Sequence, residues 1–314
     1  MKSIAVINQK GGVGKTTTTI SIGASLARRG HRVLLLDMDP QANLTLHLDR
    51  CPDLESKTMT DLLVDDAPLK DLVVDTSTRG LFLVPADPSL SGVEQVLANR
   101  IGRETILREA FEDYDGPGWD YVFIDCPPAL GVLSANALVT VGQIIIPMQA
   151  EYFSMQGMTK LMEVKQLVQR RLNPQLEICL ILPCMVNRRT NLTTEVLAEL
   201  RNHFGGVLAA TNIRSNVKLA EAPSFGRTIF EHAPESNGAA DYEAVTDEFL
   251  ARQSDIAQTA PEAGEAEGPP TAEAGPPPAD TEDVASVGQE SAPSEASPPA
   301  GETEVAEATE EGPG

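Results

Sequence analysis

Short, unbroken apolar runs alternate along the first 150 residues with longer stretches in which small and apolar side chains recur on a helical period. The runs are Ser3–Ile7 (SIAVI), Arg32–Leu36 (RVLLL), Leu81–Val84 (LFLV), Tyr121–Ile124 (YVFI) and Gln143–Pro147 (QIIIP). Such a run, with no polar residue at every second position, predicts a strand covered on both faces, the habit of a parallel sheet. Between the first two runs, Thr16–Arg29 predicts a helix. Past residue 150 the pattern resumes as a helix near Met155–Leu172, a strand at Glu177–Leu182, and helices at Leu192–Phe204 and Ala239–Arg252. Strand and helix in alternation predict an α/β fold, a doubly wound, mostly parallel sheet with helices on both faces. No stretch of 1–252 reads as a linker and no repeat is visible, so these residues are expected to form one domain.

Composition changes abruptly after Arg252. The chain of 314 residues has a net charge of −22, yet no Lys or Arg follows Arg252. Residues 253–314 hold 15 acids and ten prolines, and the last aromatic is Phe249. A Pro/Ala/Glu-rich segment without aromatics cannot bury enough apolar surface to offset its ordering entropy, so 253–314 is expected to be a disordered acidic tail. Residues 1–252 carry all 24 Lys and Arg against 31 of the 46 Asp and Glu, a net of only −7. The N-terminal apolar run is too short for a secretory signal, and no run reaches the ~18 apolar residues of a bilayer span. Cys51, Cys126, Cys179 and Cys184 form no C-x-x-C pair and read as buried, reduced thiols of a cytoplasmic protein.

Candidate chemistry begins directly after the first strand. Residues 9–16 read QKGGVGKT and open a helix, the context of a P-loop. There the backbone N–H groups of Gly11, Gly12, Val13 and Gly14 turn around phosphates, helped by the helix dipole. Lys15 would reach the β- and γ-phosphates, the Thr16 hydroxyl would ligate Mg²⁺, and Thr17 follows on the phosphate side. The first glycine of the usual pattern is replaced by Gln9, and a second lysine, Lys10, stands four residues before Gly14. Asp37 and Asp39 follow the RVLLL strand and Asp125 follows YVFI. Parallel strands present their C-terminal ends to one edge of the sheet, where ligands bind in such folds. Three carboxylates at that edge point to Mg²⁺, a water or a backbone network.

QKGGVGKTT, LLLDMDPQAN, FIDCPP, MVNRRTNL and NVKLAEAPSFG together resemble the ParA family of chromosome and plasmid partitioning ATPases. That family lies in the deviant Walker A group, which also holds MinD and the nitrogenase iron protein. The resemblance spans residues 1–250 and leaves out the acidic tail. It implies an ATPase with ATP and Mg²⁺ as cofactors, slow on its own, homodimeric on ATP binding and stimulated by a ParB-type activator. It implies that Lys10 crosses to the phosphates of the other subunit, that Asp39 orients the attacking water, and that Asp37 lies in the Mg²⁺ network. Asp125 takes the Walker B role, and Asn187 matches a position near the adenine.

Arg189 and Lys218 fall where the family places arginines on DNA phosphates. Lys218 departs from the family, keeping the charge but losing the bidentate fork. Between Cys184 and Phe230 six cations face three acids, a basic window in an acidic chain. No base-reading motif accompanies it, so DNA binding is expected to be non-specific, on a cytoplasmic, nucleoid-associated protein with no membrane contact. The same core would also serve a ParA-like ATPase that positions another cargo. A MinD-like protein would end in a basic amphipathic helix, whereas no cation follows Arg252. An iron-protein-like reductase would need bridging cysteines, and only Cys126 is near the site. The tail is expected to act as a solubilising spacer or as a competitor for the basic face.

Overall fold

Each of the six apolar runs becomes a strand in the computed structural model, which describes residues 1–50, 52–53, 56–149, 154–187 and 191–259. Cys51, Arg188, Arg189 and the tail from residue 260 onward lie outside the described residues. The chain opens with β1 (Lys2–Val6), α1 (Lys15–Arg28), β2 (Val33–Asp37), α2 (Asn43–His47) and α3 (Met59–Asp65). It continues through β3 (Val74–Asp75), β4 (Leu81–Val84), α4 (Val93–Val96), α5 (Ile106–Glu112), β5 (Tyr121–Asp125) and α6 (Val132–Thr140). Then follow β6 (Gln143–Gln149), α7 (Ser154–Arg171), β7 (Glu177–Cys184) and α8 (Asn191–Phe204). The last elements are α9 (Val217–Glu221), α10 (Ile229–His232) and α11 (Asn237–Thr259).

Seven strands form one sheet in the order β3-β4-β2-β5-β1-β6-β7, with every pairing parallel except that of β3 with β4. The doubly wound expectation therefore holds. β3 is an addition to it: two residues are too few to carry a hydrophobic period, and Val74 and Asp75 pair only with Leu83 and Phe82 at the sheet edge. α11 also departs from the expected Ala239–Arg252, running on to Thr259. Gln253 is buried there and exchanges amide hydrogen bonds with Gln143 at 3.2 and 2.6 Å, which carries the helix past the last cation.

Because side chains alternate across a strand, successive residues feed two separate cores. Ala5, Leu34, Leu36, Val122, Ile124, Ile144 and Ile146 pack under α3, α5, α6, α7 and α8. Ile4, Val6, Val33, Leu35, Phe123, Ile145 and Leu180 pack under α1, α10 and α11, where Ile20, Ile22, Leu26, Phe230, Tyr242 and Phe249 meet them. The chain crosses from β1 by α1 to β2 on one side of β5, and from β5 by α6 to β6 on the other. That reversal opens a crevice at the C-terminal ends of β1, β2 and β5, the place where open α/β sheets bind ligands.

Candidate active site

Register sets the geometry before any side chain is considered. Asp125 at the end of β5 lies opposite Asp37 at the end of β2 and opposite Val6 at the end of β1, after which the glycine-rich loop begins. The loop is tied from within, since Asn8 Nδ2 donates to the Pro147 carbonyl at 2.7 Å and Asn8 Oδ1 accepts from the Lys10 amide at 3.0 Å. Val13 is buried and anchors the loop in the core. Gly12 and Gly14 take positive φ, 70° and 96°, a region that side-chain-bearing residues rarely occupy. A Cβ on Gly11 or Gly12 would meet, beyond its chain neighbours, no atom of the described residues within 4 Å, so the loop is open on that side. Gly14 then caps α1, and Thr18 N–H donates to its carbonyl at 2.9 Å.

Lys15, the first residue of α1, is only 7% exposed, and its Nζ donates back to the Lys10 carbonyl at 3.4 Å. Thr16 Oγ1 donates to Asp125 Oδ2 at 2.6 Å. The other Asp125 oxygen is buried and, among the described residues, has no hydrogen-bond partner. A buried, half-satisfied carboxylate is costly by itself, so this oxygen fits a cation. Burial, then the nearby Asp37 charge, pushes the Asp125 carboxyl well above the usual carboxylate range, while the Thr16 bond and Lys15 oppose the shift. Asp37 is fully buried and pushed up to about 6 by burial, against hydrogen bonds from Thr45 and Asp39 that favour its ionised form. Two adjacent carboxylates that both resist ionisation need positive charge beside them, which is what a P-loop lysine and a divalent cation would supply.

Asp39 stands two residues beyond the Asp37 strand end. Its N–H donates to Asp37 Oδ1 at 3.1 Å, and its Oδ1 accepts from the Gln41 N–H at 3.0 Å. Lys10 Nζ donates to Gln149 Oε1 at 2.8 Å, and Gln149 also donates to the Gly12 carbonyl at 3.4 Å. Gly11, Gly12, Gly14, Lys15, Thr16, Thr17 and Asp39 line one cleft of about 750 Å³, together with Met185 and Pro223. Asn187 is exposed two residues past Met185. Gln149 and Thr45 escaped the sequence reading because neither belongs to a motif with fixed spacing. Gln149 is the last residue of β6, whereas Thr45 lies in α2, eight residues past the end of β2, where nothing local marks it.

The AAA domain family model matches residues 1–178. The sporulation initiation inhibitor protein Soj of Bacillus subtilis is 42% identical over 252 residues, which are 80% of this chain and 98% of Soj. The chromosome partitioning protein ParA of Caulobacter vibrioides is 40% identical over 256 residues, 81% of this chain and 96% of that one. This chain belongs to the ParA family of P-loop ATPases. In structure it is similar to cobyrinic acid a,c-diamide synthase from Mycobacterium smegmatis, solved with bound ADP and magnesium. That match has 35% identity and a TM-score of 0.70, and covers 81% of this chain and 96% of that chain.

Within this ParA-family frame, Cys126 is fully buried in the core beneath α6, and burial pushes its thiol well up. A protonated, inward-facing thiol is a poor ligand for a cluster shared between subunits. The basic window is also altered by two ion pairs, one reaching to α11 and one within α9. Arg214 is held by Asp241 through bonds of 2.6–3.0 Å, and Lys218 Nζ lies 2.7 Å from Glu221 Oε2. Lys218, Arg201 and Arg227 are exposed. Among the described residues no helix is long and apolar enough to cross a membrane.

Proposed function

We propose that this protein is a Mg²⁺-dependent ATPase that dimerises on ATP, binds DNA non-specifically as a dimer, and drives chromosome or plasmid partition with a ParB-type activator. The observation that carries the ATPase reading is the pairing of Thr16 with one oxygen of Asp125 while the other is buried and unsatisfied beside Lys15 and Asp37. The donor set suits the group: Thr16, Asp125 and Asp37 would hold Mg²⁺, directly or through water, and the ion would neutralise charge on the β- and γ-phosphate oxygens. The backbone of Gly11–Gly14 and the Lys15 ammonium cradle the phosphates. Thr17 lies on the same wall of the cleft, and Asn187 contacts the base. Asp39 orients the water that attacks the γ-phosphorus, so that ATP and water yield ADP and phosphate. Lys10, held by Gln149 in one protomer, crosses to the phosphates of the partner and stabilises charge on the transferring group.

Partition follows from coupling this cycle to a surface. Lys218 and Arg189 touch DNA phosphates, and dimerisation doubles those contacts, so affinity depends on ATP and falls steeply with salt. The Lys218–Glu221 pair is exposed and worth little, so a phosphate can replace the carboxylate. The 40% identical relative named for chromosome partitioning supports this reading. The cytoplasmic nucleoid is the expected location. Three measurements test it together: nucleotide binding, ATP-dependent dimerisation, and gel shift of random duplex with ATP or ADP. Lys15→Ala is expected to lose ATP binding. Asp39→Ala is expected to bind ATP, dimerise and stall. Lys10→Ala is expected to bind nucleotide as a monomer. Equal duplex binding in ATP and ADP would overturn the DNA cycle.

A further inference from the structure

Thr45 sits in the middle of α2, is 1% exposed, and belongs to none of the motifs that define the phosphate site. Its backbone N–H donates to Asp37 Oδ2 at 2.9 Å, and its hydroxyl donates to the same oxygen at 2.7 Å. The hydroxyl oxygen in turn accepts from the Ala86 N–H, just past β4, at 2.9 Å. The remaining Asp37 oxygen accepts from the Asp39 N–H at 3.1 Å. A single chain of hydrogen bonds therefore runs from the end of β4 through Thr45 and Asp37 to the backbone of Asp39. Every group in it is buried, and each donor fixes the next acceptor.

From this chain we propose that Thr45 is a positioning residue for hydrolysis: it locks the Asp37 carboxylate, and through it the place of Asp39 relative to the γ-phosphate. The proposal rests on the reading of Asp39 as the residue that orients the attacking water. Without the hydroxyl, Asp37 Oδ2 keeps only one donor and can rotate, and the Ala86 N–H loses its acceptor. The Asp39 amide then follows an acceptor that no longer has one orientation. Small displacements of a group that aligns a nucleophile cost rate far more than ground-state affinity, because alignment matters at the moment of transfer. The Thr45 N–H still holds Asp37 Oδ2 near the Mg²⁺ position. The phosphate cradle of Lys15 and the glycine loop lies apart from this chain, so nucleotide binding is expected to change far less than turnover.

The test uses the full chain with saturating Mg–ATP and random duplex, measuring kcat, KM and the Kd of a fluorescent ATP analogue. Thr45→Val keeps the shape and removes the hydroxyl. It is expected to lower kcat at least ~10-fold with KM and Kd within ~3-fold of wild type. Thr45→Ser restores the donor and is expected to recover kcat to within ~3-fold. Thr45→Cys, a poorer donor of similar volume, is expected to fall between them and serves if the valine variant does not fold. Wild-type kcat in the valine or cysteine variant overturns the proposal. So does a loss of Kd equal to the loss of kcat that serine fails to rescue, since that marks a purely structural residue. Asp39→Ala is run in parallel: full turnover there defeats the water-orienting reading itself, whereas a stalled Asp39→Ala beside a normal Thr45→Val defeats only the role of Thr45.

Discussion

Asp37, Asp125 and His47 show what burial does to single residues in this molecule. Both carboxyls are held above their ordinary range by desolvation, and each is stabilised by donors that ask it to stay ionised. His47 is the opposite case. Burial pushes its pKa below the ordinary 6.5, and the Nε2–H bond to the Arg227 carbonyl at 3.0 Å only partly offsets that. The folded state thus keeps His47 neutral at a pH where the unfolded chain is already taking up a proton. Its stabilising contribution is full above about pH 6.5 and is lost as the pH falls below it. His47→Gln can keep a donor to Arg227 without titrating. Thermal melts at pH 7.5 and 5.5 are expected to show the variant gaining on wild type at the lower pH. A constant gap between the two proteins would rule out this role of His47.

At the scale of elements, α2 is only five residues long yet connects two regions. Thr45 faces Asp37 and the strand ends, while His47 reaches the Arg227 carbonyl of the segment that leads from α9 into α10. A close approach reinforces the second contact, since a Cβ on Gly226 would lie 2.7 Å from the Asp49 Cβ, and Gly226 has φ 61°. Both left-handed backbone and contact with a neighbouring Cβ exclude a side chain here. Gly226→Ala is expected to cost about 1–3 kcal/mol in urea unfolding. It is also expected to weaken duplex binding more than ATP binding, because the displaced segment carries Lys218 and Arg227 rather than the phosphate loop. These small elements were the least legible in the sequence. The six apolar runs announce themselves by unbroken hydrophobicity and the long helices by period, but α2, α4, α9, α10 and β3 have two to five residues each and neither signal.

For the whole molecule, net charge is a poor guide to partners until it is divided along the chain. Of the 15 acids after Arg252, only Asp255 lies in α11, so residues 260–314 hold 14 acids and no cation. A truncation that respects the fold therefore begins at residue 260, since one beginning at 253 would remove buried Gln253 and its bonds to Gln143. Without 260–314 the chain carries 24 cations against 32 acids, a net of −8 in place of −22. Less repulsion of the DNA polyanion is expected to tighten binding of random duplex at low salt, with the gain shrinking as ionic strength rises. Titration at two salt concentrations measures it. Equal affinities at low salt would leave the tail a spacer. ATPase activity without DNA is expected to be the same for both chains.

The sequence by itself determined the parallel sheet, because a strand buried on both faces must be apolar at every position. It also marked the phosphate loop and the carboxylates at the strand ends, because backbone turning around phosphate demands glycine and the loop calls for the compact point charge of a lysine. Only the tertiary structure decided which carboxylate oxygen is left unsatisfied and that Thr45 holds Asp37. It alone decided that Arg214 of the basic window is already held by Asp241, on a different element. Those outcomes depend on pairs up to 109 residues apart, such as Thr16 with Asp125, and no local period or spacing records such a pairing. Register between strands is what sets Asp37 beside Asp125, and register exists only once the sheet has formed.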